Sequence, residues 1–356
     1  MPETIKLFDL QNREALIRGL FPQFILALAA LGLIGGSYWM LLPTLMMFIV
    51  VPALDHFVGE HMLTIKQEKV HPKLQEVLSY STLTYVVFFF VCLLWLIAVL
   101  DTLNWWETTV AIVSFACAGG VLAAAGHELI HRKQKTKVAF GQFAFNAFGY
   151  WHFPIAHIRN HHAHVATEKD NHAPSRDASY WKYLVESYPK SYAESCRIVD
   201  ERIRKHQIQR FSLKNPYLSY FGIPVLMLGI AFSLGGIPGL LLYTAIALFS
   251  VLFSEAAFYL EHYGLKREES EKVAAHHSWD SYHRFSNYQT FMVQRHADHH
   301  LNAGNEYIYL RSHRDSYRLP LGYPLLSLLA FYPKGFHQLM NRELDRQDSR
   351  APTPAA

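Results

Sequence analysis

A chain of 356 residues that is 51% hydrophobic and only 17% charged is modestly more apolar and clearly less charged than a typical soluble domain, yet its long polar stretches rule out a protein made of membrane spans alone. Three cysteines with no Cys-x-x-Cys pair (Cys92, Cys117 and Cys196) exclude a thiolate zinc site or a rubredoxin-type iron centre, and they do not suit a disulfide framework. The net charge of +4 says little until it is placed along the chain, and no nucleic-acid partner is expected.

The first 20 residues mix Glu3, Asp9 and Glu14 with basic side chains and lack a cleavable signal pattern, so the apolar run that follows is expected to stay as an anchor. Residues 21–37 and 38–54 are apolar on either side of Gly35-Gly36, enough for two spans or a tight helical hairpin. A polar stretch (55–75) precedes a clear span at 80–100. A short link, 101–107, carries Trp105 and Trp106, a placement typical of the membrane interface. The span at 108–125 runs without pause into Gly126-His127-Glu128. Residues 140–153 are apolar but hold Gln142, Asn146 and His152, which reads as a surface-lying or re-entrant segment. Two further spans, 217–234 and 237–260, meet at Gly235-Gly236. Residues 321–332 are too short to cross and should pack on the membrane face.

Charge supports this pattern. No Lys or Arg occurs at 23–65, 74–131 or 215–265, so with six spans every basic segment falls on one side, the cytoplasmic side by the positive-inside rule. The prediction is an all-α integral membrane protein of the cell inner membrane, with six transmembrane helices and a cytoplasmic, histidine-rich helical cap. Residues 1–20 form a cytoplasmic N-terminus, 21–125 hold helices 1–4, 126–216 are a cytoplasmic His-rich region, 217–260 hold helices 5–6, 261–350 are a second cytoplasmic His-rich region, and 351–356 a disordered tail.

The chemistry lies in that cap. His296, His299 and His300 stand at i, i+3 and i+4, which on a helix sets three imidazoles on one face within reach of one ion. His127 and His131 form an i, i+4 pair, as do His157 and His161, with His162 turned toward a neighbouring ligand set. His262 closes the last span. Nine imidazoles are too many for one metal and suit two metals with four or five each. His127-Glu128-x-x-His131 also matches the zinc-protease signature, but that reading would leave seven histidines without a role. Metals facing a greasy interior point to redox work on oxygen more than to hydrolysis, because breaking a C–H bond needs water kept out. Glu128, Glu261 and Asp298 adjoin ligands and are candidates to orient imidazoles, against the plainer reading of interfacial carboxylates. Thr44, Met47 and Phe48 are candidates to line a substrate channel, against simple lipid or helix contact. The basic stretch 202–214 suits an acidic redox protein or anionic lipid, or is a solvated face.

Gly126-His-Glu-Leu-Ile-His-Arg-Lys, His157-x-x-x-His-His-x-x-Val-Ala-Thr, Glu261-His-Tyr-Gly-Leu and Gln294-Arg-His-x-Asp-His-His, in this order, resemble the alkane 1-monooxygenase branch of the membrane fatty-acid desaturase/hydroxylase superfamily. His277-Ser-Trp-Asp-Ser and Leu319-Pro-x-Gly-Tyr share the likeness, which covers roughly residues 30–345. The resemblance implies a diiron centre held by the nine histidines, O2 as co-substrate, and terminal hydroxylation of an alkyl chain drawn from the bilayer. It also implies electrons from a rubredoxin- or ferredoxin-type donor with its NAD(P)H-dependent reductase. Relatives in the superfamily also desaturate acyl chains or decarboxylate medium-chain fatty acids to terminal 1-alkenes. That alternative needs a cation for the carboxylate, for which Arg132, Lys133 and Arg159 are candidates.

Overall fold

The computed structural model describes residues 9–349, so residues 1–8 of the N-terminal segment and the expected tail at 351–356 lie outside it. Most of the described residues are helical. A polar helix, α1 (Leu10–Leu20), bends by 43° into the apolar α2 (Gln23–Gly35). A broken helix, α3 (Ser37–Val58), contains a π-turn at Met46–Val50. Then come α4 (Pro72–Ala98) and α5 (Trp105–Ile130). The next helices are α6 (Lys135–Ala147), α7 (residues 153–164), α8 (Tyr180–Lys205) and α9 (Pro216–Glu261). The C-terminal part contains β1 (Trp279–Asp280), α10 (Arg284–Gln289), α11 (His296–Leu301), β2 (Tyr317–Arg318), α12 (Tyr323–Ala330) and α13 (Pro333–Asp348). The two short strands pair in parallel, Trp279 beside Tyr317.

Four helices, α3, α4, α5 and α9, are long and apolar enough to cross a membrane, or five if the bent α1–α2 pair counts as one. Their outward residues suit lipid: Phe24, Ile34, Phe88, Val91, Val225 and Leu241 are exposed. At 46 residues, α9 would span about 69 Å if straight, twice a hydrocarbon core. It is not straight. Gly236 has φ +59°, and a Cβ on Gly239 would lie 2.7 Å from the carbonyl oxygen of Ala231, so the chain doubles back. The same device joins α2 to α3. Gly36 has φ +61°, and a Cβ on Gly32 would sit 3.1 Å from the Met40 Cα. Both turns use the left-handed region that glycine enters at no steric cost.

Helix α5 is the axis of the bundle. It starts with a capping box, in which Asn104 accepts from the Trp106 and Glu107 amides and the Glu107 carboxylate accepts from Asn104 N. Glu107 also accepts from Ser37 N at 2.6 Å, tying the α2–α3 turn to the same end, where Trp105 is largely exposed. Along α5 the small residues Ala116, Ala118, Gly119, Ala123 and Gly126 let neighbours approach closely. A Cβ on Gly119 would overlap the Ser250 hydroxyl of α9. The apolar stretch expected to lie on the surface or re-enter is helix α6, packed on the other end of α5. A Cβ on Gly141 would lie 2.9 Å from the Gly126 carbonyl oxygen, and Ala144 and Phe145 cover Gly126. Helix α12, predicted to pack on the membrane face, lies against the end of α9, with Leu328 exposed. The last turns of α5 and α9 thus meet α7 and α11.

Candidate metal centre

Nine imidazoles converge at that meeting point. His127, in the last turns of α5, and His131, its C-cap, join His157, His162 and His299 in one set; His161, His262, His296 and His300 form the other. In the first set Nε2 of His157 lies 2.8, 3.1 and 3.0 Å from Nε2 of His127, His131 and His162, and His162 is 3.0 Å from His299. In the second, His300 lies 2.8 Å from His296, 3.1 Å from His161 and 3.2 Å from His262.

The partition differs from the one that spacing suggests. His296, His299 and His300 do not serve one ion: His299 reaches the first set while His296 and His300 reach the second. It is His161, not His162, that turns to the neighbouring set. Residues 157–161 form a π-turn, whose i→i+5 pattern brings His162 back beside His157 and releases His161 to the other side. α11 therefore runs between the two sets and contributes to both.

The donor set itself fits metal ions. Burial, reinforced by neighbouring imidazoles, holds the His161, His162 and His262 rings down to about 3, so they are neutral at physiological pH. The His161 Nδ1 proton is given to Asp170, 2.9 Å away, and the His262 Nδ1 proton to the His277 carbonyl at 2.8 Å. These partners assign the tautomers and leave both Nε2 lone pairs bare. Bare lone pairs packed about 3 Å apart repel one another unless a cation lies between them.

Of the three carboxylates singled out from sequence, Glu261 alone reaches a converging nitrogen, with its Oε2 3.4 Å from His296 Nε2. Glu128 accepts from Tyr307 N and pairs with Arg132. Asp298 binds Arg311, His313 and Asn302. Neither touches an imidazole of the two sets in these bonds. The carboxylate that does orient one is Asp170, buried in the loop after α7, where it also accepts from the Ala166 and His172 amides. Its only sequence signal is an acid nine residues past His161 in a run of loop residues. Asp170→Asn removes the anionic acceptor and is expected to weaken metal binding about 10- to 100-fold, as loss of an outer hydrogen-bond partner usually does. Metal retention after dialysis against a graded chelator measures it, and unchanged retention would overturn this role.

An apolar cavity of about 60 Å³ lies against the centre. Met47 and Phe48 line it, with Val121, Phe253 and Ala257; His127 and Glu261 stand at its inner end. Thr44 does not line it and instead bonds Ser114 at 2.8 Å. Arg132, Lys133 and Arg159 are also absent from its wall. Arg132 is bound to the carbonyls of Gly304 and Asn305.

A family model for fatty acid desaturases matches residues 103–334. The chain is 30% identical over 322 residues to alkane 1-monooxygenase 1 of Alcanivorax borkumensis, covering 86% of this chain and 78% of that one. It is 30% identical over 302 residues to the alkane 1-monooxygenase of Ectopseudomonas oleovorans, with 82% and 75% covered. Similarity to the xylene/toluene monooxygenase hydroxylase component of Pseudomonas putida is lower, 25% over 245 residues, 68% of this chain and 66% of that one.

Proposed function

We propose a function for a chain that belongs to the fatty acid desaturase family, in its alkane 1-monooxygenase branch: it inserts one atom of O2 into the terminal C–H bond of an alkyl chain, giving a primary alcohol. The observation that carries this reading is two sets of neutral imidazoles beside an apolar cavity.

His127, His131, His157, His162 and His299 would hold one iron, and His161, His262, His296 and His300 the other. Iron held there would supply reductive activation of O2 for C–H oxygenation, with the overall balance RH + O2 + 2e⁻ + 2H⁺ → ROH + H2O. The chain does the rest. Burial keeps its imidazoles unprotonated and available. Met47, Phe48, Val121 and Phe253 admit an alkyl chain and exclude water, and His127 in the same wall brings that chain to the centre. Asp170 and the His277 carbonyl fix two rings in orientation.

The enzyme is read as a multi-pass protein of the inner membrane with six spans: α2, α3, α4, α5 and the two halves of α9. The reversals at Gly36 and Gly236 support that number, and the basic residues collected at one end support a cytoplasmic active site.

Electrons come from a partner, a rubredoxin- or ferredoxin-type carrier served by an NAD(P)H-dependent reductase. His131, His162 and His300 are the half-buried members of the two sets and mark where the centre faces water. Exposed Lys133, Arg159, Ile158 and Leu301 flank them, and neither Lys133 nor Arg159 has an ion-pair partner among the described residues. This edge suits an acidic carrier better than the stretch 202–214. Reversing both charges (K133E with R159E) should raise the KM for the donor about tenfold at low salt and flatten its salt dependence. Equal KM values would remove the donor from this edge.

A second reading, action on a fatty acid by desaturation or by decarboxylation to a terminal 1-alkene, is favoured by the polar lining of the inner end. Glu261, Thr290 and Tyr323 can hydrogen-bond a carboxyl head there. Product analysis with octane-like alkanes and lauric-type acids, using NADH, rubredoxin and its reductase, separates the two. Primary alcohols from the alkanes support the first reading; terminal alkenes from the acids alone would replace it with the second.

A further inference from the structure

The cavity that reaches His127 is not isolated. A second one, about 10 Å³, lies between α5, α6 and α9 and shares Ala123 and Ser254 with it. That small cavity shares Phe148 and Val251 with a third, a groove of about 630 Å³ between α8 and both halves of α9. The groove is walled by Leu184, Val185, Leu228 and Leu248, of which Val185 and Leu248 are exposed, and so it opens toward the lipid. Three cavities in a row, each pair sharing two wall residues, make one line from the metal centre to the bilayer, on a different side from Met47 and Phe48.

Its middle is chemically unlike its ends. Ser250 donates to the Ile246 carbonyl at 2.7 Å and Ser254 to the Ser250 carbonyl at 2.8 Å, which leaves both hydroxyl oxygens free to accept. A hydrocarbon gains nothing from them, whereas a chain ending in O–H gains a donor–acceptor contact at each. The constriction holds about one water and is closed to an alkyl chain as it stands. Phe148 is the gate between the constriction and the groove: it lines both, and it packs against Phe89, Phe90 and Tyr243 with centroids 5.8, 5.8 and 5.9 Å away.

We infer that this line is a second, lateral passage through which the hydroxylated chain leaves for the bilayer, with the large groove as a binding site for a long-chain alcohol. The inference rests on the oxygenase reading for its ligand, but its test does not need turnover. Metal-free protein in nanodiscs is irradiated with a diazirine-bearing dodecanol, and the labelled peptides are mapped. Labels are expected on residues 184–189, 224–228 and 244–252. They should fall about tenfold in Thr244→Trp and Val185→Trp, two wall positions exposed to the groove where a bulky ring clashes with the chain. The alkane of equal length with the same diazirine should label the Met47–Phe48 side in preference. In loaded enzyme the same variants should slow multiple turnover while leaving the single-turnover yield unchanged. Labelling confined to the cavity beside Met47, or both variants leaving labels and turnover as in the parent, would overturn the passage. Neither result would touch the oxygenase reading, which stands or falls on the product panel.

Discussion

His299→Ala protein will bind about half the iron of the parent and turn over at less than about one-hundredth of its rate, since even an outer partner of a ligand typically costs 10- to 100-fold. The reasoning starts from α11. Six residues long, it delivers His299 to one set and His296 and His300 to the other. Truncating His299 removes one of five imidazoles and leaves the four-histidine set whole. His300→Ala has the converse effect, taking one of four and sparing the set of five. If each set holds its own ion, the two single variants lose iron separately and the double variant loses nearly all of it. If all nine histidines gathered one ion, each single variant would behave like the double. Iron content by plasma emission after desalting reads the outcome directly, with size-exclusion elution as the check on folding. Undiminished iron and turnover in His299→Ala would remove α11 from the centre.

The contrast between what could be read in advance and what could not follows from the range of the forces involved. The apolar runs could be read because hydrophobic length is a local property, and so could the turns at Gly36 and Gly236, because a sharp chain reversal needs left-handed backbone. The nine histidines stood out because helical spacing at i and i+4 is also local. The division between the two sets did not, since the π-turn at 157–161 changes the period by one residue and depends on what α7 packs against. Asp170 stayed hidden because its tie to His161 is a loop contact with no period. Glu128 and Asp298 misled for the opposite reason: being next to a ligand in sequence says nothing of which way a helix turns the next side chain. Helix α1 could not be read either. Its Glu14 and Arg18 pair at i, i+4 and both are buried, with Arg18 donating to the carbonyls of Leu63 and Ile308.

That burial leads to the second large effect. Arg295 adjoins the first histidine of α11 and is 1% exposed. Its guanidinium donates to the carbonyls of His61, Leu63 and Leu310 at 2.8–2.9 Å and lies over the Tyr282 ring, 5.9 Å from its centroid. Leu63 O also accepts from Arg18, so one carbonyl joins α1, the loop after α3 and the start of α11. Among the described residues no carboxylate bonds Arg295; the charge is held by three backbone dipoles and the Tyr282 ring, a geometry that a planar fork fits and an ammonium does not. Arg295→Ala removes this donor from the buried carbonyls of His61 and Leu310 and leaves Leu63 with Arg18 alone. Charge-assisted bonds are worth about 1.5–3 kcal/mol each, so the loss should reach several kcal/mol and lower the melting temperature in detergent by roughly 10 °C. Arg295→Lys keeps the charge but cannot span three acceptors in one plane, and should fall between the two. Because α11 then loses its tie to the loop after α3 and keeps only the anchors at Ala297 and Asp298, iron retention should fall together with the melting temperature in both variants, more in the alanine than in the lysine. An alanine variant that melts within a degree or two of the parent and keeps its iron would show that the histidine helix is positioned by its ligands and not by the arginine behind it.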